Sequence, residues 1–168
     1  MNSHFFDARQ LELLLSAMSL HMEIEEPQII LALICAYIAH CGKVDKAGTP
    51  YFEHVLSVYK KMETTDEKIV ALLHDVLEDS SITEDNLRNM GFSERIVESV
   101  KTLTRCKTQT YKKYLIQVSQ NPIATIVKRA DVQNNIDPLR LEKLSSKLQK
   151  RLRKKYELAL LILDNNSA

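Results

Sequence analysis

The sequence predicts an all-α fold, a single domain spanning residues 1–168 and built as a bundle of about eight helices. Three observations lead there. No stretch alternates apolar and polar residues in the manner of a half-buried strand. Three glycines and four prolines punctuate 168 residues, too few for the turns of a sandwich, a barrel or an alternating α/β fold. Apolar residues recur instead at helical spacing, most clearly where Ile69, Leu72, Leu73, Val76 and Leu77 fall on one side of a 3.6-residue helix.

Taken in order, residues 8–20 form an amphipathic helix through Leu11, Leu13, Leu14, Leu15 and Met18. Pro27, behind Glu25 and Glu26, suits a first helical position, and the helix it opens runs to about Cys41 and stops at Gly42. Thr49-Pro50 reads as an N-cap and first-turn proline for the helix carrying His54, Val55, Val58 and Tyr59. Thr64 or Thr65 caps a central helix that continues to Asp79, and Ser81-x-x-Glu84 resembles a capping box for a short helix ending at Met90-Gly91. Ser93 caps a helix with Ile96, Val97, Val100 and Leu103 inward, and 105–110 is a polar loop. Tyr111, Tyr114, Leu115 and Val118 mark the next helix; Asn121-Pro122 opens another with Ile123, Ile126, Val127 and Ala130 inward. Asp137-Pro138 caps a short turn before a packing helix over about 147–164, with Leu148, Leu152, Tyr156, Ala159, Leu160 and Leu163 inward and a basic, solvated outer face.

Composition excludes several classes. Hydrophobic content of 45% with 27% charged residues is ordinary for a globular chain, and a net charge of +1 makes no electrostatic case for nucleic acid or membrane. The longest apolar run, 29–39, is too short to span a bilayer and reads as a buried helix, and the mixture of Asp7 and Arg9 before the first apolar run does not read as a signal peptide. Cys35, Cys41 and Cys106 are odd in number and scattered, which fits the reducing cytoplasm. Glycines at 42, 48 and 91 alone rule out a P-loop. Oligomeric state has no signature.

The chemistry concentrates on the other face of the central helix. His74, Asp75, Glu78 and Asp79 share an arc, and burying such groups is costly unless they are paired or hold a metal. Imidazole with carboxylate suits Mn, Fe, Zn or Mg. Further ligands are available from other helices, His54 and Asp131, and two imidazoles with two carboxylates would leave positions for water and a phosphate oxygen. His40, at a helix end, reads as structural or as support to the site; His4 and His21 read as surface residues, and Asp137 as a cap.

The pattern His54, His74-Asp75, Asp131 resembles the signature of the HD-superfamily phosphohydrolases. Ala39-His40-x-Gly42, Lys46-x-Gly48-x-Pro50-Tyr51-x-x-His54, Ala71-Leu72-Leu73-His74-Asp75-x-x-Glu78-Asp79 and Lys128-x-x-Asp131-x-x-x-Asn135 are similar to the hydrolase domain of RelA/SpoT-type alarmone enzymes over about 27–142. Tyr111-x-x-Tyr114, Asn121-Pro122, Asp137-Pro138-x-Arg140-Leu141 and Lys155-Tyr156 resemble the small stand-alone bacterial members. The resemblance implies an HD-domain helical fold and a manganese-dependent removal of the 3′-pyrophosphate of guanosine tetra- or pentaphosphate. His54, His74, Asp75 and Asp131 would bind the metal, Glu78 and Asp79 would handle the attacking water or the leaving group, Asn135 would meet the sugar, and Lys46 the base or phosphates.

Lys128, three residues before Asp131, would bind phosphate or orient that ligand, and Arg140 and the 101–113 region would line the phosphate path. Where the family carries an arginine that packs on the purine, this chain has Asp45, an acceptor in place of a cation, which opens the adenosine analogue beside the guanosine one. The alternative to an alarmone is another nucleotide, such as a nucleoside monophosphate.

Overall fold

The computed structural model describes residues 26–165; the helix expected over 8–20 lies outside the described residues. Ten helical segments follow one another: α1 (Pro27–His40), α2 (Tyr51–Tyr59), α3 (Thr65–Leu73), α4 (Val76–Asp79), α5 (Glu84–Asn89), α6 (Glu94–Leu103), α7 (Tyr111–Ser119), α8 (Pro122–Asn135), α9 (Pro138–Leu141) and α10 (Ser146–Asn165). Among the described residues there is no sheet, only an isolated bridge between Val44 and Pro50. No described helix is long and apolar enough to cross a membrane.

The hub is α3. All five residues from Ile69 to Leu73 are fully buried, and α1, α2, α6 and α8 pack around them. Each large aliphatic side chain sealed in this way contributes about 1.5–3 kcal/mol. Helix α8 backs the hub on the opposite side, burying Ile123, Val127, Ala130 and Val132, and α10 closes over α7 and α8 with Leu152, Ala159, Ile162 and Leu163.

Local chemistry sets the boundaries. Thr64 accepts from the Glu67 amide while Glu67 reaches back to the cap, a complete capping box for α3. Ser93 and Asn121 cap α6 and α8 as their sequence positions predict, and Asp137 accepts from the Leu139 amide. Gly42 follows the C-cap of α1 at φ 75°, a left-handed position that glycine takes without strain.

Several expectations are corrected. The central helix is broken: α3 stops at Leu73, His74 is its C-cap, and Asp75 at φ −110°, ψ 1° opens the separate one-turn α4. Glu78 and Asp79 are consequently exposed towards a cavity, so the burial cost falls on His74 and its neighbours alone. Thr49 does not cap α2, because its amide and carbonyl are committed to Asp45 within the preceding loop, and the helix starts at Tyr51. Thr83 with Asn86 forms the capping box of α5, while Ser80 binds Val76 and Ile82 to finish α4. Ile126 points outward, and its inner position is taken by Thr125, whose hydroxyl donates to the Val118 carbonyl. The run 29–39 is not buried all round: Ile30, Ile34 and Ile38 form an outer stripe, Ile38 being 66% exposed.

Candidate metal centre

Three helices deliver one imidazole or carboxylate each to a common point. His54 comes from the middle of α2, His74 from the end of α3 and Asp131 from α8; all are buried, with ligand atoms within 4.8 Å of one another. They form a candidate metal site. His74 shows the fit most directly. Its Nδ1 lies 2.7 Å from the Ala71 carbonyl and donates its proton there, which leaves Nε2 as the lone-pair nitrogen. That nitrogen is buried and has no hydrogen-bond partner among the described residues, although Asp75 Oδ2 is only 3.0 Å away. A buried imidazole nitrogen facing carboxylate oxygens, where either a proton or a metal ion can sit between them, is a metal-ligand arrangement.

His54 is held similarly. Its Nε2 is 3.2 Å from Asp131 Oδ1, and Asn134 Oδ1 and Arg140 Nη1 reach its Nδ1 at 2.7 and 2.8 Å. With its proton on Nδ1, His54 donates to Asn134 and Nε2 is free to ligate; Arg140, which can only donate, then serves Asn134 rather than the ring. Asp131 is gripped from both sides: Lys128 Nζ donates to Oδ2 at 2.7 Å, and the Asn135 amide donates to Oδ1 and to the backbone carbonyl. Lys128 thus takes the orienting position rather than a free one, and Asn135 is spent on Asp131.

The field at this point is strongly negative. Burial disfavours the His74 imidazolium, yet Asp75 and Asp131 outweigh it and lift its pKa to about 9. Burial would raise both carboxyls; His74 instead holds Asp75 below its ordinary value, and Lys128 with His54 holds Asp131 well below. The same field that retains a proton here retains a cation. Asp75 stands just outside the group of three, beside His74, and its Oδ2 accepts from the Tyr51 hydroxyl, which burial and the adjacent Asp75 charge keep protonated.

Asp75 and Asp131 line a cavity of about 470 Å³, with the two histidines behind them. Glu78 and Asp79 line one wall; Lys46, Arg105 and Lys155 line the approach with Tyr111 and Tyr156. Lys155 lies over both rings, 4.6 Å from the Tyr111 centroid and 4.9 Å from that of Tyr156, so the basic face of α10 is not simply solvated. Burial and the nearby Lys128, Lys46 and Arg105 charges lower its pKa, the mark of cations in excess over anions. Lys101, expected on the same path, turns away to Glu84 at 3.2 Å. Asp45 lines the cavity and is engaged within the protein: Oδ1 accepts from the Ala47 and Thr49 amides at 2.8 and 2.9 Å, and Oδ2 from Arg140 Nη2 at 2.8 Å. Arg140 is correspondingly engaged on Asp45 and Asn134.

Tyr51 and Asn134 carry functions that the sequence reading missed. Asn134 sits three residues after Asp131, on the same helical face, and Tyr51 sits three before His54; that spacing was the available signal.

No family model matches the chain. It is 28% identical over 112 residues to the guanosine-3′,5′-bis(diphosphate) 3′-pyrophosphohydrolase of Aquifex aeolicus, a match covering 60% of this chain and 16% of that protein. The protein of the same name from Haemophilus influenzae is 30% identical over 115 residues, covering 60% and 17%. The GTP pyrophosphokinase rsh of Brucella ovis is 27% identical over 146 residues, covering 78% and 19%. The chain therefore spans less than a fifth of the length of these relatives. Among solved structures, a metazoan ortholog of SpoT, described as hydrolysing ppGpp and playing a role in starvation responses, matches with a TM-score of 0.71 at 20% identity, covering 85% of this chain and 89% of that one. The chain is distantly similar in sequence to RelA/SpoT-type proteins and carries the all-α fold of that metazoan ortholog.

Proposed function

We propose that this protein is a metal-dependent hydrolase that removes the 3′-pyrophosphate of a ppGpp-type alarmone nucleotide and releases pyrophosphate. His54, His74, Asp75 and Asp131 hold the ion, with manganese as the ion of choice. The observation that carries the reading is the buried Nε2 of His74 gathered with His54, Asp75 and Asp131, the two carboxylates lining a cavity that cations also line. The names of the two pyrophosphohydrolase relatives and the shared fold supply the substrate class.

A divalent ion at this site lowers the pKa of water and neutralises phosphate oxygens. The chain's own residues do the rest. Lys128 and Asn135 fix Asp131, Ala71 fixes the His74 ring, and Tyr51 fixes Asp75. Glu78 and Asp79, on the cavity wall, take the proton of the attacking water or return one to the departing ribose 3′-oxygen. Lys46, Arg105 and Lys155 attract the remaining phosphates, and Tyr111 and Tyr156 give an apolar face against which a base or sugar packs. Asp45 is tied to Arg140 and to the Ala47 and Thr49 amides, which leaves it little acceptor capacity for an adenine amino group, and guanosine, the nucleoside in both relatives' names, is the preferred base. Free thiols at Cys35, Cys41 and Cys106 suit a cytoplasmic location.

The test is product analysis. Purified protein with manganese is incubated with the guanosine and adenosine tetraphosphates and with nucleoside monophosphates. Pyrophosphate release from a tetraphosphate is expected, with loss of both bound metal and turnover in His74→Ala. Release of inorganic phosphate from monophosphates alone would move the protein to nucleotidase chemistry.

A further inference from the structure

Glu78 and Asp79 are adjacent in sequence, yet the fold equips only one of them. Glu78 lines the cavity and makes no hydrogen bond or ion pair to a described residue. Asp79 is met from two other elements. Lys43, in the loop after α1, donates from Nζ to the Asp79 carbonyl at the end of α4 and lies 3.9 Å from Oδ2. His40, the last residue of α1, places Nδ1 3.6 Å from the same oxygen.

His40 is unusual in its own right. It is 1% exposed, and neither ring nitrogen has a hydrogen-bond partner among the described residues. A purely structural histidine at such depth commits at least one nitrogen, because an unmatched buried polar group costs about 1–3 kcal/mol. Asp79 Oδ2, 3.6 Å from Nδ1, lies just beyond hydrogen-bond distance, and the Tyr51 ring packs against the imidazole with centroids 4.9 Å apart.

We propose that His40 and Lys43 are positioning residues that hold the Asp79 carboxylate at the cavity wall, making Asp79 rather than Glu78 the group that exchanges the proton of the reaction. The assignment rests on the hydrolase reading above. The two residues divide the work. Burial pushes the His40 imidazole down to about 4, so at neutral pH it is an uncharged donor that orients the carboxylate. Lys43 supplies positive charge and ties the end of α4 to the loop. The titratable groups that face Asp79 are Lys43 from the loop, the neutral His40 from α1, His74 at the end of α3 and Asp75 at the start of α4. Burial and Asp75 raise the Asp79 carboxyl, while Lys43 and His74 oppose them. In the step itself water attacks the phosphorus bonded to the ribose 3′-oxygen and the P–O3′ bond breaks; a proton moves from the water to an Asp79 oxygen and then to the departing 3′-oxygen, so the carboxylate is regenerated.

The experiment has one readout that needs no turnover. The side-chain carboxyl carbons of the metal-free protein are titrated by NMR, with Asp79 assigned through Asp79→Asn. Lys43→Gln should move the Asp79 midpoint upward by about one pH unit, the effect of removing a nearby opposite charge, and leave Glu78 where it was. In the manganese-loaded protein, Lys43→Gln and His40→Phe should lower kcat at least tenfold (roughly the lower reach of general acid–base catalysis), with KM and metal content unchanged. His40→Gln, which can still donate to Asp79, should recover part of that loss. An Asp79 midpoint and kcat unmoved by Lys43→Gln would overturn the proposal, as would loss of metal in step with activity in either variant. If the wild-type protein released nothing from any nucleotide, the hydrolase reading would fall, and the NMR titration would still decide whether Lys43 governs Asp79.

Discussion

Lys128→Met separates the charge that supports Asp131 from the volume that fills its place. Lys128 Nζ is 2.7 Å from Asp131 Oδ2, and the two side chains are only 15% and 7% exposed. Methionine fills the space beside Tyr114, where the ammonium now lies 5.5 Å from the ring centroid. The Asp131 carboxylate, however, loses the partner of one oxygen. Breaking one side of a buried ion pair costs about 3–5 kcal/mol, or about 10 °C in the melting temperature of a chain this size. The wild-type pair contributes across neutral pH. Asp131 is held well below its ordinary value, so its share is present above the unfolded pKa of about 4 and lost as pH falls through the folded value; Lys128 is raised well above its own against the effect of burial, so its share is present below about 10.4 and lost as pH rises through the folded value. A divalent ion on Asp131 would take over the missing positive charge. Thermal unfolding in a chelator should therefore show the full loss, and in millimolar manganese a much smaller one. Equal losses under the two conditions would refute the idea that lysine and metal neutralise the same carboxylate.

Glu78→Gln tests the division of labour between the two wall carboxylates. Metal content should be unchanged, and kcat should fall far less than in Asp79→Asn, which removes a proton acceptor worth about 10²-fold or more. Asp45→Asn keeps the acceptor for the Ala47 and Thr49 amides but ends the ion pair to Arg140; limited proteolysis in the 42–49 loop should accelerate, with little change in melting temperature. Leu72→Ala, in the fully buried run of α3, should destabilise the fold by about 2–5 kcal/mol in urea unfolding, without changing the metal stoichiometry of the folded fraction.

Much of this was readable from residue order. Capping residues such as Thr64, Ser93 and Asn121 sit where their local hydrogen-bonding chemistry demands, because a cap depends on neighbours within three or four positions. The convergence of His54, His74 and Asp131 could be anticipated because their chemical types are costly to bury singly. What escaped the sequence depends on partners far along the chain. Asp45 looks like a ligand-facing acceptor until Arg140, ninety-five residues later, is seen to occupy it. Lys155 looks solvated until Tyr111 lies beneath it. The outward turn of Ile30, Ile34 and Ile38 was hidden because a helix apolar all round carries no periodic signal of which side is covered.

The interruption after Leu73 explains how neighbours in sequence come to be neighbours in space. On an unbroken helix, residues i and i+1 point about 100° apart and do not meet. Here the chain leaves helical geometry at Asp75, and its carboxylate comes to 3.0 Å from the imidazole of the residue before it. The adjacency that makes His74-Asp75 conspicuous as a dipeptide is thus useless without the discontinuity. A replacement elsewhere that annealed α3 and α4 into one rod would drive the two side chains apart with both residues still present, and the defect would be invisible to any inspection of the site's composition.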